Sequence, residues 1–331
     1  MSLDVNALFD QFSQQRILVV GDVMIDAYMR GKVSRVSPEA PVPIVNLEKT
    51  EDRLGGAANV ALNLASLGAE PILCAIVGDD RGGKTFNDIL SIRGLSNEGI
   101  VKSADRITTI KTRVIGNNQH LLRIDEEVLS DISAEEEQEF IERVRTLMDT
   151  NVDAIILEDY NKGLLTPKVI ESIISLANER QIPVTVDPKK DNFFAYKNVT
   201  LFKPNLKELK EGVGRSTLDV TDRNAFEEAV HELEVQLDNQ ITLVTLSEHG
   251  VFVKRDQGKH YIPAHIRNIA DVSGAGDTVI AVATLCLAAG LEIEHIADIA
   301  NLSGGLVCEV SGVVPIEANL LRKEIAKLQL A

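Results

Sequence analysis

The stretch from Thr278 to Leu291 reads TVIAVATLCLAAGL, apolar on nearly every face and broken by Gly290 near its end. A helix with no polar stripe must be covered on all sides, and this run is too short to cross a bilayer core of about 30 Å. The chain therefore has to build layers around it. Short apolar runs at Ile17–Val20, Ile72–Val77, Ala154–Leu157, Pro183–Val186 and Thr242–Thr245 each lead into glycine, acidic or proline-rich residues, as buried strands do. Helical periodicity is plain in Ala57–Leu67, Glu135–Met148 and Ala225–Leu237. The charge-rich Glu135–Met148 segment reads as a solvated helix face. Strands alternating with helices predict an α/β fold, a mostly parallel sheet covered on both faces, in one domain spanning residues 1–331. Two segments break the rhythm: 27–48, which carries SPEAPVPI from Ser37 to Ile44, and 108–125, TTIKTRVIGNNQHLLRID, which alternates as exposed strands do.

Immediately before the apolar helix stands Asp271-Val272-Ser273-Gly274-Ala275-Gly276-Asp277-Thr278. Unpaired amides and the positive dipole end at Gly274, Ala275 and Gly276 suit an anion, and the small residues let it approach. Asp277 would repel such an anion at rest. It is better explained as a base that takes a proton from a hydroxyl attacking phosphorus. A turn with an aspartate cap is the plainer alternative.

A net charge of −16 argues against a nucleic-acid or anionic-membrane partner, so anionic ligands must be met by local basic clusters. Cys74, Cys286 and Cys308 lie in apolar surroundings at no metal-like spacing, which predicts buried free thiols. No secretory leader opens the sequence, and the expected location is cytoplasmic. Gly78-Asp79-Asp80-Arg81-Gly82-Gly83-Lys84-Thr85 matches the Walker A pattern letter for letter, with Ile155–Asp159 as a conceivable Walker B strand. Chemistry opposes that reading, because Asp79 and Asp80 would add negative charge where polyphosphate already brings it.

The eight residues 271–278 resemble the C-terminal signature of the PfkB/ribokinase family of carbohydrate kinases, and other landmarks follow in order. RILVVGDVMID (Arg16–Asp26) precedes GGAANVA (Gly55–Ala61), which is similar to the first glycine signature. Asp187-Pro188-Lys189 and Lys203-Pro204-Asn205-Leu206-Lys207-Glu208 come later, the latter resembling the N-x-x-E motif. The resemblance covers essentially the whole chain. It implies a ribokinase-like three-layer α/β/α fold, a small β lid from segments 27–48 and 108–125, and a homodimer through that lid. It also implies ATP and Mg2+ as cofactors. Asp277 falls at the catalytic base and the amides of Gly274, Ala275 and Gly276 at the anion hole. Asn205 and Glu208 would organise phosphate, water and magnesium. Lys207 would reach the nucleotide, a solvated surface lysine being the alternative. Ser247 and Gly250, in TLSEHG, would lie near ribose and phosphates, with His249 as a turn residue. Asp271 and Ser273, with the loop around Ser311-Gly312, fall where relatives hold a monovalent cation such as K+.

GDVMID, VSRVSPEAPVPIV, GGAANVALNLASLGA, LEDYNKGLL and TRVIGNNQHLLRID together resemble the D-glycero-β-D-manno-heptose-7-phosphate kinases of lipopolysaccharide core synthesis. These transfer the γ-phosphate of ATP to the anomeric hydroxyl. The resemblance implies that Asp26, Gly55, Gly56 and Asn59, with Asp22 as a further candidate, read sugar hydroxyls. Arg113, Arg123, Lys162 and Lys189 are the candidate cations for a sugar phosphate. Asn117 departs from the arginine often found there, which leaves one phosphate contact open. Many members continue into a nucleotidyltransferase domain with a histidine-rich motif. With none before Ala331, a separate protein is expected to supply adenylyl transfer.

Overall fold

The computed structural model describes residues 3–265 and 267–328. Thirteen strands are described: β1 (Arg16–Gly21), β2 (Val23–Val36), β3 (Pro43–Gly56), β4 (Glu70–Gly78), β5 (Gly99–Ser103), β6 (Ile110–Gly116), β7 (Gln119–Glu126), β8 (Ala154–Glu158), β9 (Val184–Asp187), β10 (Leu201–Phe202), β11 (Ile241–Thr245), β12 (Val251–Arg255) and β13 (Gly258–Ile262). The helices are α1 (Val5–Phe12), α2 (Ala57–Ser66), α3 (Arg81–Ile92), α4 (Ala134–Met148), α5 (Pro167–Glu179), α6 (Leu206–Gly212), α7 (Arg223–Leu237), α8 (Ala275–Ala288), α9 (Ile293–Val307) and α10 (Ala318–Ile325).

Nine strands form one sheet in the order β13-β12-β11-β10-β9-β8-β1-β4-β5, antiparallel only where β12 meets β11 and β13. Side-chain alternation gives each strand two buried faces. Ile17 and Val19 of β1 point into a core shared with α1, α2, α8, α9 and α10, whereas Leu18 and Val20 point into one shared with α4, α5 and α7. The result is the three-layer α/β/α arrangement, with helices on both faces. Every residue of α8 from Asp277 to Cys286 is buried, as its uniform apolarity demands. Cys74 and Cys286 are buried free thiols, but Cys308 is only partly buried, because it sits where α9 ends and its carbonyl turns to the amides of Ala270 and Asp271.

A separate four-stranded sheet, in the order β3-β2-β6-β7, contains both segments expected to form the lid. Its first hairpin is longer than the expected 27–48. Strands β2 and β3 stay paired from Val23↔Gly56 to Val36↔Pro43, because the charged run KTEDRL (Lys49–Leu54) alternates its side chains between the two faces. SPEAPVP covers the exposed hairpin tip.

The Walker-like stretch forms no phosphate cradle. Asp80 caps α3 by accepting from the Gly83 amide at 2.7 Å and also holds Thr108, while the amide of Gly78 donates to the Thr108 hydroxyl. The Asp79 amide bonds the Ser103 carbonyl, and Lys84 points outward.

Candidate active site

Parallel strands bring their carboxyl ends together, and there the register aligns Gly21 with Glu158 and Glu158 with Asp187. Helix α8 begins over this edge, the position at which open α/β sheets bind ligands. Gly274 caps it with φ +80°, a left-handed backbone, and a Cβ there would lie 3.0 Å from the Asn59 amide nitrogen. The Ala275 amide closes a turn on the Val272 carbonyl at 3.3 Å. Among the described residues the amides of Gly274, Gly276 and Asp277 have no acceptor, whereas that of Ala275, the third member of the expected anion hole, is turned to Val272.

Asp277 is 5 % exposed and is held from two sides. Asn59, on α2, donates to Oδ2 at 2.7 Å, and the hydroxyl of Tyr160 donates to Oδ1 at 2.7 Å. Burial raises the Asp277 pKa above the ordinary carboxylate value; the two hydrogen bonds oppose the rise, while neighbouring Asp187 adds to it. Tyr160 is a residue that sequence reasoning passed over, although it lies in the quoted LEDYNKGLL. Its loop is pinned by Asp22, whose carboxylate accepts from the amides of Tyr160, Lys162 and Leu164. Those contacts make Asp22 an anchor for the loop rather than a hydroxyl-reading group. Asp159 holds the same loop through the Asn161 amide and the Tyr196 hydroxyl, its pKa pushed up to about 6 by burial and by Asp22.

A buried ionic group lies under the start of α8. Lys203, 2 % exposed, pairs with Asp187 Oδ2 at 2.8 Å, and Lys189 reaches Asp187 at 3.5 Å and Glu208 at 2.9 Å. Burial alone would lift Asp187, yet Lys189 and Lys203 more than offset it and hold the carboxyl below its ordinary value. A Cβ at Gly276 would stand 3.4 Å from Asp187 Oδ2 and 3.8 Å from Lys203 Nζ, which places the free amides directly over this pair. Glu158 is fully buried with both oxygens unpartnered, and burial, then Asp187 and Asp277, drive its pKa well up. Lys203 and Glu158 were visible only as parts of KPN and a strand end; burial of their charged groups appears only in three dimensions.

Asn205 and Glu208 form a reciprocal cap on α6, the Asn205 side chain accepting from the Glu208 amide and Glu208 Oε2 from the Asn205 amide. Lys207 is not brought to the site: its side chain is 82 % exposed beside Glu211, because it lies on the outer face of α6. Ser247 and His249 are exposed in a 3-10 turn closed by Gly250. An open cleft of about 530 Å³ adjoins that turn, lined by Val220, Thr221, Leu246, His249, Tyr261 and Pro263, with Arg223 also on its wall. Asp271 accepts from the amides of Ser273 and Gly312, bringing together the two loops named for a monovalent cation.

On the side of the smaller sheet, Asp26 is buried and pairs with Arg113. Gly55 lies against Asp26, and Gly56, at φ +62°, turns the chain into α2, which carries Asn59. Lys162 pairs with Glu127 at 2.8 Å, sharing it with Lys111. Arg123 is largely exposed beside Asp125, and Asn117 bonds the backbone of Val33 at the sheet edge. Arg53, absent from the expected set, pairs with Glu51 and donates to the Val313 carbonyl.

An anion-binding helix start beside a buried carboxylate, at the carboxyl edge of a layered parallel sheet, is the arrangement of a phosphotransferase acting on a hydroxyl. Residues 14–319 match the model of the pfkB family of carbohydrate kinases, and the chain belongs to that family. The family is one of carbohydrate kinases, and it implies ATP as the phosphoryl donor. The protein named "Bifunctional protein HldE" of Citrifermentans bemidjiense is 38% identical over 304 residues, covering 92% of this chain and 62% of that protein. Its namesake in Pseudomonas syringae pv. syringae is 40% identical over 323 residues, covering 96% of this chain and 65% of that one. The chain thus spans less than two thirds of these relatives. The fold is shared with phosphofructokinase-2 from Escherichia coli, solved in complex with potassium (TM-score 0.77, 18% identity, covering 94% and 98% of the two chains). It is also shared with Arabidopsis thaliana ribokinase complexed with ribose and ATP (TM-score 0.68, 17% identity, covering 93% and 98%). No helix among the described residues is long and apolar enough to cross a membrane.

Proposed function

We propose that the chain transfers the γ-phosphoryl group of ATP to the anomeric hydroxyl of D-glycero-β-D-manno-heptose 7-phosphate, giving the 1,7-bisphosphate. The observation that carries the chemistry is the buried Asp277 carboxylate, held by Asn59 and Tyr160 beside amides that have no acceptor of their own. The acceptor is supported by SPEAPVP and LEDYNKGLL and by the similarity to the proteins named HldE.

In this mechanism Asp277 takes the proton from the acceptor hydroxyl, whose oxygen bonds to the γ-phosphorus as the bond to the departing ADP oxygen breaks. The amides of Gly274, Gly276 and Asp277 stabilise charge on the transferred group, and buried Lys203 adds a fixed positive charge below them. Asp26, Gly55, Gly56 and Asn59 meet the sugar; Arg113, Lys162 and Lys189 contribute cations on the acceptor side. The nucleotide lies toward Asn205, Ser247 and Gly250, along the adjoining cleft. Magnesium would be held here by one or two carboxylates together with the substrate phosphates, as is usual for this ion. Glu208 and the unpartnered Glu158 are the carboxyls available, and the ion supplies charge neutralisation. Asp271 and Ser273, with the Gly312 loop, suit a monovalent cation such as K+.

The smaller sheet acts as the lid of one catalytic unit over residues 1–331, and its outer face makes a homodimer. That face carries exposed Met29, Leu122 and Ile124. The proposed setting is cytoplasmic. Phosphorus NMR with Mg-ATP and the heptose 7-phosphate tests the reaction. A new anomeric-phosphate resonance rising with ADP is the expected result; its absence while another sugar is phosphorylated would remove the heptose assignment and leave the kinase chemistry.

A further inference from the structure

Water carries the same attacking O–H as a sugar and fits wherever a sugar fits, so a carboxylate base beside bound ATP is also a base for hydrolysis. Both oxygens of Asp277 already carry a donor: Oδ2 the Asn59 side-chain amide and Oδ1 the Tyr160 hydroxyl, each at 2.7 Å. Asn59 is fully buried, whereas Tyr160 is partly exposed. It lies in the same loop as Lys162, whose ammonium pairs with Glu127 just after β7, and so stands on the side of the smaller sheet. The phenol screens the carboxylate from that side.

Tyr160 is held there by more than its bond to Asp277. Asp22 accepts from the amides of Tyr160, Lys162 and Leu164, and Asp159 from the Asn161 amide and the Tyr196 hydroxyl. Lys189, tied to Glu208 and Asp187, places its ammonium 5.2 Å from the Tyr160 ring centroid. Burial, then Asp277, raise the phenol pKa well above its ordinary value, so the hydroxyl stays a donor to Asp277 and does not itself attack phosphorus. A carboxylate oxygen accepts more than one hydrogen bond, which leaves a place on Asp277 for an incoming hydroxyl. A sugar is brought to that place by the contacts of its other hydroxyls, which make the approach effectively intramolecular. Water has no such contacts and meets a base whose two oxygens are both engaged.

We propose that Tyr160 is the residue that makes Asp277 selective for a sugar hydroxyl over water, by keeping Oδ1 occupied while no sugar is seated. The proposal rests on the reading of Asp277 as the base. The step that Tyr160 suppresses is hydrolysis: a water oxygen bonds to the γ-phosphorus, its proton passes to Asp277, and the bond to the ADP oxygen breaks, giving ADP and inorganic phosphate. Tyr160 acts through Asp277 as a positioning residue, and its effect is on which hydroxyl is used.

Release of inorganic phosphate by the full chain with Mg-ATP and no sugar tests this. Tyr160→Phe keeps the ring and removes only the oxygen, and release should rise by about tenfold over wild type, the scale of one lost hydrogen bond at the base. Tyr160→Leu, which also removes the ring, should raise it further. Combining Tyr160→Phe with Asp277→Asn should return release to the level of Asp277→Asn alone. A residue that merely supported the loop would lower release when replaced, not raise it. Release that is unchanged or lower in Tyr160→Phe would overturn the proposal; if Asp277→Asn still abolishes transfer to a sugar, the base assignment survives that failure. A rise that persists in the double variant would overturn both, because the water would then be activated by a group other than Asp277.

Discussion

Asp277 has to be ionised to accept a proton, and the structure makes that harder than in water. Burial raises its pKa, so the acid limb of the kcat profile should lie above the ordinary carboxylate value of about 4, with activity lost as pH falls through it. The Tyr160 hydroxyl favours the charged form. Tyr160→Phe should therefore move that limb further upward, as expected for a lost hydrogen bond to a carboxylate. A limb that stays in place would show that the hydroxyl does not act on the base. Asp277 was legible in the sequence because glycines, a helix start and a carboxylate fall within eight residues. Tyr160 was not, since its partner lies 117 positions away and only folding joins them. Lys207 shows the converse: a place inside a motif says nothing about which face of a helix of about two turns a side chain takes.

At the scale of elements, the loop after β8 is a device for placing Tyr160. Its backbone donors converge on the carboxylate of Asp22, directly after β1. Asp22→Ala leaves three amides without their acceptor and should lower unfolding stability by about 2–4 kcal/mol, readable as a lower urea midpoint at unchanged m-value. Kcat should fall with it, because the loop loses its register to Asp277. Full stability in this variant would mean that the anchor is elsewhere. The strands of the large sheet and α8 were readable from short apolar runs and uniform apolarity. The full extent of the β2–β3 hairpin was not, because the run Lys49–Arg53 that continues β3 beyond Glu48 is charged or polar throughout and carries no apolar alternation to mark it as strand.

For the whole molecule, the two sheets divide the work between them. The nine-stranded sheet fixes the helix start, Asp277 and the buried lysines; the four-stranded sheet offers a cationic inner face and an outer face with exposed Leu122 and Ile124. If that outer face joins two copies, sedimentation should report a dimer, and Leu122→Glu combined with Ile124→Glu should convert it to monomer with the fold intact. A wild-type protein that sediments as a monomer would contradict the dimer. The most direct test of the central claim is Asp277→Asn, followed by both ADP formation and ATP affinity. Loss of proton transfer with the helix amides retained predicts turnover lower by about 10²–10⁴-fold and ATP affinity changed only a few-fold. Turnover that persists near the wild-type rate would show that the base has been misassigned.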